Sequence, residues 1–424
     1  MLLRTLLISK QVENLIDLPK NSEVDIRIFG TLLEYKILSA SYKPFWLSGI
    51  IKEVINGKRE IGFKEIVCHM ISSAWYPIVQ YKLSFGQSDK LGDIVEYIRD
   101  QHEIPADEKE HVLFKTLYEL QDKEVIKYIE GLYKLVPYRM LSPFYGELLR
   151  GTPEKEKNRK ITEYALKDEN AFYKIYPKQK MIVIGENWYK YLVENQNIIY
   201  GWINYKLIYF LQKKNPNVPA IPLKVKPPYK RDLSKAEKMW RSFNRFVLLK
   251  DIYINKRFDE YNLERYGQLS IDHFIPWSFV LHDEMWNLIP SFKNINSSKS
   301  NRLPDMDTYF NDFCQIQYGA FNFMRSHTQM KPLLEDYLHI NIPLKFAHKK
   351  GLQNVDEEEF KKALTNTILP LYQIAYNQGY GIWKYKEYEN NNSENCFYNI
   401  NSEQEVDIVA EESSESYLKN IKKE

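Results

Sequence analysis

Residues 270–304 read SIDHFIPWSFVLHDEMWNLIPSFKNINSSKSNRLP, and this stretch decides the fold. The Asp272-His273 pair closes an apolar alternation. Two asparagine-bearing stretches come next, then Lys299, with Pro276, Pro290 and Pro304 among them. A core segment has no use for so many polar groups at fixed intervals, since each buried polar group needs a partner. QLSIDHFIPW reads as a strand that delivers Asp272 and His273 at its end. Neighbours on a regular strand face opposite ways unless the strand is bulged or ending. Pro276 and the turn after it mark an end. WNLIP reads as a second short strand, stopped by Pro290. INSSKSNRL then begins a helix, with Asn296, Ser297 and Ser298 near its N-terminus. Strand, long loop, strand, helix is a compact frame. It can bring one carboxylate, one imidazole and one carboxamide to a single point.

Upstream, Ser234 and Glu237 have the spacing of a capping box. They predict a long helix over SKAEKMWRSFNRFVLLKDIYINKRFDEY, with Trp240, Phe243, Val247 and Ile254 available for one face. Before it, NPNVPAIPLKVKPPYKR (215–231) holds five prolines, which excludes regular helix or central strand. A domain boundary is expected there. From 213 to 231 the chain carries Lys213, Lys214, Lys224, Lys226, Lys230 and Arg231 and no acid. The segment reads as a soluble linker or as a basic strap along a phosphate backbone. Downstream, 308–326 and 356–377 read as helices. Glu387 to Leu418 has nine acidic residues and no Lys or Arg, the composition of a disordered tail.

In the N-terminal half, Val24, Ile26 and Ile28 alternate as in a strand. Leu47, Ile50, Ile51, Val54 and Ile55 follow helical spacing, with Pro44 suited to the first turn and Gly57 to the stop. Ile66 to Ala74 repeats the pattern, and further helices are expected near 89–99, 107–121 and 123–135. The region reads as a plain helical bundle or, more sharply, as a winged-helix-like module. YPKQKMIVIG (176–185) offers a strand and 186–214 one or two aromatic-rich helices. The expected organisation is α+β and mostly helical. It comprises a helical domain (1–150), a helix-and-strand segment ending in the basic linker (151–232), a domain built on the strand-loop-strand-helix frame (233–386) and the acidic tail (387–424).

Composition bounds the rest. The 424 residues suffice for two or three domains. The net charge of +3 gives no global nucleic-acid signature, so any such surface must be local. Cys68, Cys314 and Cys396 form no CxxC pair, which suits a reducing cytoplasm and excludes a cysteine-based zinc knuckle. No run of 18 apolar residues predicts a membrane span, and the apolar patch in MLLRTLLISK is too broken for a signal peptide.

The opening frame resembles the HNH nucleases, the ββα-metal or His-Me finger superfamily. The likeness is to the D-H-x-x-P…N-x(8)-N-x-x-K subgroup. Asn287 follows His273 by 14 residues, Asn296 comes nine later and Lys299 three after that. DHFIPWSFVLHDEMWNLIP looks like bacterial HNH proteins of the phage-defence or restriction kind. The secure likeness covers about 35 residues. It lacks the flanking CxxC zinc ribbons of many members, so helices must do that buttressing. The resemblance implies an Mg²⁺- or Mn²⁺-dependent endonuclease acting on DNA, with other subunits of a defence system as potential partners. His273 is then the general base, because a neutral imidazole suits that task near pH 7. Asp272 is the main metal ligand and Asn296 the second, both hard oxygen donors. Asn287 braces the loop, and Lys299, expected one turn into the helix, meets a phosphate. His282 and Asp283 read as plain loop residues. A non-catalytic nucleic-acid-binding or scaffold protein with a degenerate frame is the competing expectation. The intact Asp, His, Asn and Lys set favours the enzyme.

Overall fold

The computed structural model describes residues 18–340 and 355–386. The apolar N-terminal patch (1–17) and the acidic tail lie outside the described residues. The chain is α+β and mostly helical, and divides into two compact units, Met1–Lys230 and Arg231–Glu424.

The first unit begins with a correction. The Val24–Ile28 alternation is not a strand, because Ile26–Thr31 is a helix (α1). Asp25 caps it, its side chain accepting from the Ile28 N–H at 3.0 Å. Val24 is buried just ahead of the helix, Ile26 and Ile28 are half-buried, and the helix buries Phe29, with Leu32 and Leu33 buried at and beyond its end. Helix α2 (Tyr42–Ile55) has Pro44 in its first turn, and Gly57 comes after it at φ +84°, a conformation that glycine adopts without strain. Helix α3 (Phe63–Trp75) packs on it. Helices α4 (Leu91–His102), α5 (Glu110–Glu119) and α6 (Lys123–Tyr133) surround them. A small antiparallel sheet of β1 (Glu60–Gly62), β2 (Tyr173–Tyr176) and β3 (Met181–Ile184) has the order β1-β3-β2. Ile182 pairs with Ile61 on one side and Ile175 on the other, all fully buried. The 186–214 segment forms two helices, α7 (Glu186–Glu194) and α8 (Gln196–Lys214). The proline-rich segment contains one helical turn at Ile221–Lys224, which Pro222 tolerates as an early position.

In the second unit, helix α9 (Ser234–Val247) is shorter than expected. Leu248 takes a left-handed conformation at φ +47° and ends it. The chain then forms a two-stranded ribbon, β4 (Lys250–Asp251) with β5 (Lys256–Arg257). Ile254 is therefore no part of the helix face, and Val247 is half exposed, while Trp240 and Phe243 are buried. Nor is there a capping box: Ser234 is the first helical residue, and its N–H donates to Asp232. Gly267, at φ +89°, turns the chain into strand β6 (Leu269–His273). β6 pairs antiparallel with β7 (Leu288–Phe292), setting His273 opposite Leu288 and Ile271 opposite Pro290. Pro290 thus lies inside its strand rather than stopping it. A two-stranded ribbon has free edges where a missing N–H costs no ladder bond. Helix α10 (Lys293–Lys299) begins at once. The long helices α11 (Met306–Ser326) and α12 (Glu357–Asn377) back the frame.

Candidate active site

The site is built where β6 ends. Asp272 and His273 are both buried there, 4% and 5% exposed. Beyond them a 14-residue excursion must leave β6 and return to β7 in register. Asn287 closes it. The Asn287 side chain accepts from the Ile275 N–H at 2.8 Å and donates to the Ile275 carbonyl at 2.9 Å. Its backbone carbonyl accepts from the Phe274 N–H at 2.9 Å. Asn287 is fully buried, so these bonds are made away from competing water. Gln317, on α11, holds the far end. Its amide donates to the carbonyls of Met285 (3.1 Å) and Leu288 (2.8 Å), and the Tyr337 hydroxyl donates to its oxygen at 2.6 Å. Helical side chains thus buttress the return to β7.

Asp272 is held by two donors. The Tyr253 hydroxyl donates to Oδ2 at 2.6 Å and the Lys299 ammonium to Oδ1 at 3.0 Å. Lys299 also donates to the His273 carbonyl at 2.7 Å. Lys299 is fully buried at the end of α10, and this burial pushes its pKa down against the pull of Asp272. The structure therefore puts Lys299 inside the frame, away from a phosphate-facing surface. Asn296 lies mid-helix and donates through Nδ2 to Ser270 Oγ and the Ile271 carbonyl, both at 3.1 Å. That fixes which way its amide points. Asn294, two residues earlier, is exposed.

His273 has partners on both ring nitrogens. Nε2 lies 2.8 Å from Asp283 Oδ1, and Nδ1 lies 3.4 Å from Arg231 Nη1. A guanidinium can only donate and an ionised carboxylate can only accept. The ring proton therefore sits on Nε2 and the lone pair on Nδ1. Burial pushes the imidazole below its ordinary value, opposed by the hydrogen bond to Asp283. Burial thus favours the neutral ring.

Sequence reading missed Tyr253, Asp283, Arg231, Gln317 and Asp251. Asp251 is fully buried on β4. It accepts from the Tyr253 N–H (2.7 Å), Ser291 Oγ (2.7 Å) and the Phe292 N–H (2.9 Å), tying β4 to the end of β7. Burial nevertheless raises its carboxyl to about 6. Only Asp283 carried a usable signal, being a carboxylate ten residues beyond the histidine in the same loop.

A two-stranded ribbon and an adjoining helix that gather Asp272, His273 and Asn296 are the frame of an HNH-type nuclease. The family model for HNH endonucleases matches residues 251–305, so this segment is an HNH endonuclease domain. No curated protein and no solved structure matches the chain. Among the described residues no helix is long and apolar enough to cross a membrane.

Proposed function

We propose that the protein is a divalent-cation-dependent endonuclease that hydrolyses DNA phosphodiester bonds, with His273 as general base. The observation that carries this is a buried imidazole whose Nε2–H is anchored on Asp283 at 2.8 Å, with Nδ1 facing the Arg231 guanidinium at a long 3.4 Å, a contact that must give way for Nδ1 to accept a proton from water. His273 takes a proton from the attacking water at Nδ1. The water oxygen bonds to phosphorus, the P–O3′ bond breaks with its electron pair on O3′, which takes a proton from solvent, and a 5′-phosphate and 3′-hydroxyl result. Asp283 keeps the ring in the productive tautomer and offsets the charge it gains.

Asp272 and Asn296 are the residues that would hold the cation. Their oxygens suit Mg²⁺ or Mn²⁺ in type. Among the described residues no cluster of three His, Cys, Asp or Glu side chains is placed to hold a metal ion, so the fit rests on the oxygen chemistry of Asp272 and Asn296. Lys299 neutralises much of the Asp272 charge, so the substrate phosphate must supply the remainder of the attraction. The bound ion would stabilise negative charge on the leaving oxygen. A role as effector in bacterial phage defence or restriction belongs to this proposal and rests on the likeness of residues 272–290 to such proteins.

The test is incubation of purified protein with plasmid, linear DNA and RNA in Mg²⁺, Mn²⁺ or EDTA, with end-labelling of the products. DNA cleavage that EDTA stops and that leaves 3′-hydroxyl ends is expected. His273→Ala should abolish cleavage and keep DNA binding. Cleavage by that variant at the wild-type rate, or 3′-phosphate ends, would overturn the assignment.

A further inference from the structure

A phosphodiester bond placed for attack carries a negative charge that some cation must meet, and Lys299 is not that cation. Its ammonium is buried and bonded to Asp272 and the His273 carbonyl. Arg231, outside the segment that matches the family, stands at the base instead. Its guanidinium lies over the Trp277 ring, 4.7 Å from the centroid, with Nη1 3.4 Å from His273 Nδ1. Trp277 opens the short helix after Pro276, so the stacking platform belongs to the same excursion that Asn287 braces. About a third of the Arg231 side chain is exposed (34%).

Arg231 could simply neutralise Asp283. The distances argue otherwise. The Arg231–Asp283 approach is 3.9 Å, too long for the paired hydrogen bonds of an Arg–carboxylate fork. The indole face sets the orientation of the guanidinium, and that face binds it without occupying its N–H fork. The adjoining cleft behind Asp283 is no rival phosphate track. Asp232, Asp283, Glu335 and Asp336 line it against Lys235 and Lys238.

We infer that Arg231, stacked on Trp277, binds the scissile phosphate of the nucleic-acid substrate beside His273 Nδ1. The inference rests on the nuclease reading of the site. A water on Nδ1 and a phosphorus beyond it fall within one side chain's reach of the guanidinium. The planar fork then holds the non-bridging phosphate oxygens, while the leaving O3′ points away from the incoming water.

The experiment separates this contact from the nuclease reading by measuring binding in an inactive background. Full-length His273→Ala and His273→Ala/Arg231→Ala are titrated with a 20-base-pair DNA duplex across a salt series, and Arg231→Ala, Arg231→Lys and Asp283→Asn are assayed alone. Removing Arg231 should weaken binding about tenfold and flatten the log–log salt slope by about one, the signature of one fewer phosphate neutralised. In cleavage, Arg231→Ala should lose at least about 100-fold in kcat/KM, with Arg231→Lys intermediate. Asp283→Asn should leave the salt slope unchanged, whereas an arginine that served only Asp283 would give both variants the same slope. Thermal melting checks that each variant is folded. An unchanged slope on Arg231 removal, or Arg231→Ala cleaving like wild type, overturns the inference. If wild type cuts nothing while the slope still depends on Arg231, the nuclease reading falls and the phosphate contact stands.

Discussion

At the scale of single residues, Lys299 is the instructive case. Spacing alone puts a lysine three residues after Asn296 and invites a phosphate. The structure puts its ammonium 3.0 Å from Asp272 with both side chains almost fully buried. Such a pair is costly to break from one side, because the charge left behind has no water to meet it. Lys299→Met should therefore destabilise the second unit by about 3–5 kcal/mol, read as a lower urea midpoint. It should leave the salt slope of DNA binding unchanged. A flattened slope with normal stability would return Lys299 to the phosphate. The sequence could not separate these outcomes. Asp272, His273 and Asn287 are legible because their spacing reflects the strand-loop-strand path itself. The partners of a side chain are legible only when the chain is folded. Tyr253 lies 19 residues before Asp272, and Arg231 lies 42 before His273.

At the scale of elements, the ribbon and helix act as one part because Asn287 and Asn296 are bonded to backbone. Asn287→Ala would orphan the buried N–H and carbonyl of Ile275 and should lower stability by about 2–4 kcal/mol. Asn296 and Asn294 offer a sharper comparison. Two residues on a helix differ by about 200°, so both cannot face one ion. Asn296 is bonded toward β6 and Asn294 is exposed. Asn296→Ala should raise the Mg²⁺ concentration for half-maximal cleavage and sharply lower the maximal rate. Asn294→Ala should do neither. A Mg²⁺ titration of both variants decides, and a dead Asn294→Ala would void the second-ligand assignment. Element boundaries were less legible than the elements. Residues 24, 26 and 28 alternate as a strand would, since positions two apart on a helix lie about 200° apart, and the helix begins at Ile26 all the same because Asp25 caps it. The long helix after Ser234 fails at Leu248 because a left-handed residue ends it, and nothing in leucine announces that conformation.

At the scale of the whole molecule, the chain divides at Lys230, inside the basic segment that composition singled out. That segment is less uniform than its charge suggests. Lys224 ends a helical turn and is fully buried, and burial pushes its ammonium down to about 7. A group shut from solvent cannot lie on a phosphate backbone. Lys226 and Lys230 are exposed and remain candidates. The count of basic residues was legible in the sequence. Their division into solvent and interior was not, because it depends on where one four-residue turn packs. If the segment tracks DNA, Lys226→Glu/Lys230→Glu should reduce affinity and flatten the log–log salt slope by about two, close to one unit for each phosphate that is no longer neutralised. Lys224→Met should leave the slope where it is, since that side chain is closed to both solvent and substrate. Binding isotherms at several salt concentrations distinguish the cases. A slope unmoved by the double reversal makes the segment a linker, whereas a slope moved by Lys224→Met would mean that the turn opens when nucleic acid binds.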